Sequence, residues 1–216
     1  MTNLSITQQY FILALGHDKK ETFSTSSEKG ICFIASQLLE LTADSTITFD
    51  SKNRIVTTQS LPANKEYLTI VYEFIKKKEP VKLATITDYF VTSFKNNLTP
   101  AFQLVGTSLM SDGYVQKRAK KQLLGLSDVY EVTESALTHA TNNLNDIITI
   151  PHDCTDEQLA LITLLEKGKI LKKYVSKHTR SQAKQLIDDS KNTMEESLIR
   201  KMMDRMDSVM ATIISV

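Results

Sequence analysis

Apolar residues recur along most of this chain at intervals of three and four, the spacing of helices with one buried face. Ser5 opens the first such run. Gln8 stands three residues on, as in a reciprocal cap, and Ile6, Tyr10, Phe11, Leu13 and Ala14 follow before Gly16. A polar stretch over 23–29 comes next, and then Ile31, Phe33, Ile34, Leu38, Leu39 and Leu41 predict a second helix. Residues 47–49 and 54–57 are β-formers on either side of Asp50-Ser51-Lys52-Asn53 and predict a hairpin. Helical spacing returns over 67–78, stops near Pro80 and resumes over 83–95. Thr99-Pro100 reads as a cap followed by proline at the first helical position, and Phe102, Val105, Leu109 and Met110 lead from it to a close at Gly113. Tyr114-Val115 and residues 129–132 predict a second hairpin around Gly125. Helices over 135–149, 155–166 and 169–177 follow, and one long helix is expected from Arg180 onward. The fold class is mainly α: a compact helical domain over 1–187 with two β-hairpins, and a C-terminal helical extension over 188–216.

Composition supports a buried core, with 41% hydrophobic and 24% charged residues. Lys plus Arg number 26 against 25 Asp plus Glu, so any affinity for nucleic acid or membrane must come from a local patch. No two of the six glycines lie within six residues of each other, which excludes a dinucleotide fingerprint and a phosphate-cradling loop. Cys32 and Cys154 are read as reduced core thiols of a cytoplasmic protein. Residues 1–17 hold no Lys or Arg, and no window approaches the roughly 18 apolar residues of a spanning helix. Neither a signal peptide nor a membrane span is expected.

Chemistry is sparse. His152 and Cys154 are the one pair spaced for metal ligation, and zinc needs three or four ligands. No Gly-x-Ser-x-Gly elbow or His-Glu-x-x-His motif occurs. Asp188-Asp189 and Glu195-Glu196 are adjacent on helices and diverge by about 100°. No enzyme activity, metal or cofactor is expected. Helices over 83–95 and 99–112 before a hairpin follow the order of a winged helix, yet 99–112 holds no Lys or Arg, and no nucleic-acid partner is expected. Lys117, Arg118, Lys120 and Lys121 precede Leu123 and Leu124, placing cations beside an apolar tip that suits an anionic membrane surface. The alternative is a solvated loop whose leucines pack on the domain or a neighbouring subunit. Lys167, Lys169, Lys172, Lys173 and Lys177 read as a solvated helix face. Met194, Leu198, Met202, Met206, Val209 and Ile213 form a stripe for self-association or a protein partner. The alternative there is a helix that folds back onto its own core.

Several stretches in series resemble the Golgi phosphoprotein 3 family. Leu4-Ser5-Ile6-Thr7-Gln8-Gln9-Tyr10-Phe11-Ile12-Leu13-Ala14-Leu15 resembles its opening helix, and Leu38-Leu39-Glu40-Leu41 the end of its second. Leu109-Met110-Ser111-Asp112-Gly113-Tyr114-Val115 resembles the helix that closes before its hairpin, and Leu159-Ala160-Leu161-Ile162-Thr163-Leu164-Leu165 a late helix, followed by Ile170-Leu171-Lys172-Lys173-Tyr174-Val175. The resemblance covers roughly residues 4 to 187. It implies a helical domain with one protruding hairpin and no catalysis. In eukaryotic members it implies a peripheral membrane protein that binds phosphatidylinositol 4-phosphate and the cytosolic tails of glycosyltransferases. The family's headgroup pocket uses a tryptophan and three arginines, at positions that align with Thr25, Ile34, Thr99 and Phe102, so no headgroup residue carries over. The expected function is a non-enzymatic, cytoplasmic, peripheral-membrane or adaptor protein with affinity for anionic phospholipid. The alternatives are a soluble protein-interaction module and a winged-helix DNA binder.

Overall fold

The first helix, α1 (Ile6–Gly16), carries no charged side chain, and the other elements are arranged around it. The computed structural model describes residues 4–16, 27–92, 97–122, 125–150, 154–190 and 204. In α1, Ile6, Thr7, Gln8 and Tyr10 through Ala14 are all buried, so it is enclosed on every side rather than along one stripe. Its start is the expected reciprocal cap: the Gln8 N–H donates to Ser5 Oγ at 3.3 Å, and the Ser5 N–H to Gln8 Oε1 at 3.1 Å. Helix α2 (Ser27–Ala43) packs against it, buried from Lys29 to Thr42. A short hairpin, β1 (Ile47–Phe49) with β2 (Ile55–Thr57), and a 3₁₀ segment (Ala63–Leu68) lead into α3 (Thr69–Lys78). Then come α4 (Leu83–Thr87) and α5 (Leu98–Ser111), a second hairpin of β3 (Val115–Gln122) and β4 (Gly125–Val132), and α6 (Glu134–Thr149). Helices α7 (Asp156–Lys167) and α8 (Lys177–Ser190) complete the order. The architecture is mainly α, with two separate two-stranded antiparallel sheets. Among the described residues no helix is long and apolar enough to cross a membrane.

Three sequence expectations need correction. The helix predicted over 83–95 is α-helical only to Thr87 and continues as a π-turn (Asp88–Thr92) that buries Phe90. Residues 93–96 lie outside the described residues. Thr99-Pro100 is not the cap of α5: the helix starts at Leu98, with Asn97 at the N-cap and its side-chain amide turned back to the Tyr89 carbonyl at 2.8 Å. Proline is tolerated there because the first turn's N–H groups have no intrahelical partner. The helix predicted over 169–177 does not form. Lys169 takes φ 59°, and the Ile170 N–H returns to the Leu165 carbonyl at 2.8 Å, which closes α7. Burial of Ile170 and Leu171 in the core then sets the path, and a single 3₁₀ turn (Leu171–Lys173) replaces the helix. Lys169 pairs with Glu28 rather than joining a lysine-lined helix face.

Helix α8 starts at Lys177, three residues before the predicted point, and buries Ala183 while half-burying Leu186 and Ile187. Arg180 ties it to α7 through two parallel bonds to Glu166, Nε to Oε2 at 2.8 Å and Nη2 to Oε1 at 2.6 Å. These hydrogen bonds hold the Glu166 carboxyl below its ordinary pKa against the opposing effect of burial, with help from the charges of Arg180 and Lys184. A carboxylate whose folded pKa is depressed contributes stability that is complete above its unfolded value of about 4.3 and is lost as pH falls through the folded value. Glu166→Gln should therefore cost about 1 kcal/mol at neutral pH, and the gap from wild type should close on acidification below about pH 4. Chemical denaturation across that range measures it, and a pH-independent gap would show that the pair contributes packing alone.

Candidate functional site

The second hairpin is secured at both ends of its base. Gly113 adopts φ 76°, the left-handed conformation that glycine takes without strain, and ends α5. The Tyr114 N–H donates to the Leu109 carbonyl at 2.9 Å and the Gly113 N–H to the Met110 carbonyl at 3.1 Å. On the return side Thr133 caps α6 by accepting from the Ala136 N–H, and its own N–H and hydroxyl both donate to the Tyr114 carbonyl.

Tyr130 on β4 fixes how the ribbon lies on the helices. Its hydroxyl donates to the Gln103 carbonyl at 3.1 Å and stands 3.2 Å from Thr107 Oγ1, both on α5. Between those two contacts is Gly106, where an added Cβ would overlap the tyrosine ring. The ring closes an aromatic cluster with Phe11, stacked on Phe102 at 4.7 Å, and with Phe33 beyond. Gly106 thus serves close approach rather than a turn. A Gly-Thr-Ser sequence inside a predicted helix carried no signal of this notch.

The four candidate cations fall into two register classes. Lys117 pairs with Tyr130 and Lys121 with Leu126; Arg118 pairs with Val129 and Lys120 with Ser127. Side chains alternate along a strand, so Lys117 and Arg118 project to opposite faces. Lys117 Nζ lies 5.9 Å from the centre of the Tyr130 ring, and Arg118 pairs with Glu131 at 3.3 Å while staying 71% exposed. Leu123 and Leu124 lie outside the described residues. So do Met194, Leu198, Met202, Met206, Val209 and Ile213 of the C-terminal stripe, and His152; Asp204 is helical and exposed. Among the described residues no group of three His, Cys, Asp or Glu side chains is placed to hold a metal ion. Cys32 is a thiol buried in the core, and Cys154 is a half-buried one whose pKa burial raises.

Sequence reading missed a polar cleft of about 610 Å³ where the start of α1 meets the end of α2, lined in part by Glu40, Asp44, Lys65 and Tyr67. Glu40, only 3% exposed, accepts from the Thr7 N–H at 3.3 Å and from the Tyr67 hydroxyl, and pairs with Lys65 at 3.3 Å. Lys65 also pairs with Asp44. Burial, then the Glu40 charge and hydrogen bond, push the Tyr67 phenol well above its ordinary pKa. Burial opposes the Lys65 charge, but its bond to Asp44 and the charges of Glu40 and Asp44 outweigh it and raise its pKa. The groups satisfy one another, as befits a clamp between elements rather than a reactive centre. Its only sequence trace was a glutamate amid leucines in Leu38-Leu39-Glu40-Leu41.

The model of the Golgi phosphoprotein 3 family matches residues 6–206. The chain belongs to the Golgi phosphoprotein 3 family. The match continues past Asp188, where the motifs legible in the sequence stop. No match was found among curated proteins. Two of the positions that align with the family's headgroup residues are filled by the apolar interior of this member: Ile34 is fully buried, and Phe102 is stacked in the aromatic cluster. Thr99 is half-buried in the first turn of α5, and Thr25 lies outside the described residues.

Docking of the hairpin can be tested at Gly106. Gly106→Ala should destabilise the protein by about 1–3 kcal/mol through overpacking against Tyr130. In a Tyr130→Ala background the same change should be neutral or stabilising, because alanine favours a helix by up to about 1 kcal/mol over glycine. Denaturant unfolding of the four proteins measures the coupling, and equal costs in both backgrounds would show that the ring and the glycine do not interact.

Proposed function

We propose that this Golgi phosphoprotein 3-like protein is a non-enzymatic, cytoplasmic peripheral-membrane adaptor whose second hairpin meets anionic lipid. The observation that supports this most is the ribbon itself: Lys117 and Arg118 stand exposed on opposite faces of a strand that continues through Lys120 and Lys121. Cations near an anionic leaflet contribute about 1 kcal/mol each, and the attraction falls off within the screening length. Lipid recognition on this reading is by charge rather than by headgroup, since Ile34 and Phe102 are committed to packing where a pocket would need cations.

Charge reversal of Arg118, Lys120 and Lys121 should cut sedimentation with phosphatidylserine vesicles about tenfold or more, with little change in melting temperature. Wild-type binding should weaken as salt rises. Vesicles carrying phosphatidylinositol 4-phosphate should bind no better than phosphatidylserine vesicles of equal surface charge. Undiminished binding by the triple variant removes the hairpin from the reading, and a strong preference for the phosphoinositide at matched charge removes the charge-only account.

A further inference from the structure

The corner between α3 and α4 carries a concentration of lysines, of which Lys76 lies over the Tyr72 ring at 5.8 Å from its centre. Arg54, Lys65, Arg118, Lys169, Arg180 and Lys184 each pair with a carboxylate. Lys76, Lys77, Lys78 and Lys82 are all exposed and make no ion pair among the described residues. Glu79, the carboxylate among them, is taken by the Thr57 N–H at 2.5 Å and the Thr57 hydroxyl at 2.7 Å. Lys77 and Lys78 follow Phe74 by three and four residues, so they share its side of α3. Phe74 stacks on Tyr89 at 4.3 Å, and Tyr89 is 42% exposed. Complementing the carbonyl end of α3 accounts for cations in its last turn. It does not account for Lys82 at the amino end of α4, where the dipole disfavours a cation, nor for the exposed Tyr89 stacked on the half-buried Phe74 beside them.

The position of this corner follows from two anchors. The Asn97 amide donates to the Tyr89 carbonyl, which sets Tyr89 at the amino end of α5. The hairpin leaves the carboxyl end of α5 at Tyr114, and Tyr130, opposite Lys117, reaches back to Gln103 and Thr107. The ribbon therefore runs back along α5. The eight residues of β3 span about 23 Å and the fourteen of α5 about 20 Å, so the far end of the hairpin and the α3–α4 corner lie at the same end of the domain.

We infer that the α3–α4 corner is a second contact for an anionic lipid surface, engaged together with the hairpin. Tyr89 sits at headgroup level, as an aromatic with a polar tip does at a membrane interface, and Lys77, Lys78 and Lys82 lie over the anionic headgroups. This inference rests on the reading of the hairpin as a membrane contact. Sedimentation of the full chain with phosphatidylcholine vesicles, with and without phosphatidylserine, tests it through two matched pairs of substitutions. Lys77→Gln with Lys78→Gln should weaken binding to phosphatidylserine vesicles by about tenfold or more. Lys172→Gln with Lys177→Gln, which removes two exposed lysines elsewhere, should change it less than about twofold. Melting temperatures should match wild type in both. Equal effects of the two pairs, or no effect at the corner, overturn the corner contact while leaving the hairpin reading intact. A wild-type chain that ignores phosphatidylserine vesicles overturns both, and one that binds no vesicle but loses binding to immobilised poly-glutamate on Lys77→Gln with Lys78→Gln assigns the corner to an acidic polypeptide instead.

Discussion

The constraint on which this structure depends is the burial, on nearly every side, of a helix without charge. Helix α1 has no charged face to hydrate, so its apolar side chains stabilise the fold only if other elements enclose it, and α2, α5, α6 and α7 pack around it. Burying its amino end creates a second demand, because the first N–H groups of a helix have no partner within it. Ser5 and Gln8 satisfy two of them locally. A third, at Thr7, is met by the buried carboxylate of Glu40. An anion at that end also suits the helix dipole, and Tyr67 and Lys65 share its remaining oxygen capacity. A charged residue is thus drawn into the interior by the backbone of an uncharged helix.

The same logic of close approach governs the hairpin. A two-stranded ribbon is marginal by itself in water and needs a surface to lie on. Gly106 opens a notch on α5 that receives the Tyr130 ring, and the tyrosine hydroxyl satisfies a helix carbonyl at the notch. The ribbon's direction along α5 follows from this one side chain together with the Gly113 turn at its base. On the proposed membrane reading the direction matters, because the ribbon runs back toward the amino end of α5, where Asn97 holds the Tyr89 carbonyl. Phe102 is stacked on Phe11 and meets the Tyr130 ring of the hairpin edge-on.

Much of the architecture is legible in the residues. The capping pair at Ser5 and Gln8, the αL glycine at 113 and the turn at Asp50–Asn53 are local chemistry, so reading a few adjacent residues locates them. Helical periodicity locates most helices for the same reason: it reports which side of each helix faces the interior. The failures share one cause. At 88–92, at 97–100 and at 169–173 the path is set by contacts beyond the repeating pattern: burial of Phe90, the Tyr89 carbonyl eight residues before Asn97, and a core that receives Ile170 and Leu171. Gly168 shows the point well. It resembles a helix-ending glycine, yet Lys169 takes the left-handed conformation, and the glycine is needed because a Cβ there would lie 2.9 Å from the Tyr10 hydroxyl.

The mainly helical class, the two hairpins, the family and the cationic strand can be read from the residues alone, because each depends on periodicity, local turn chemistry or serial order. What Lys117 and Arg118 face, which lysines pair with a carboxylate among the described residues and why Glu40 is buried come from tertiary packing. Those properties belong to pairs of groups far apart in the chain, such as Glu40 with Tyr67 or Gly106 with Tyr130, and no local pattern encodes a distance.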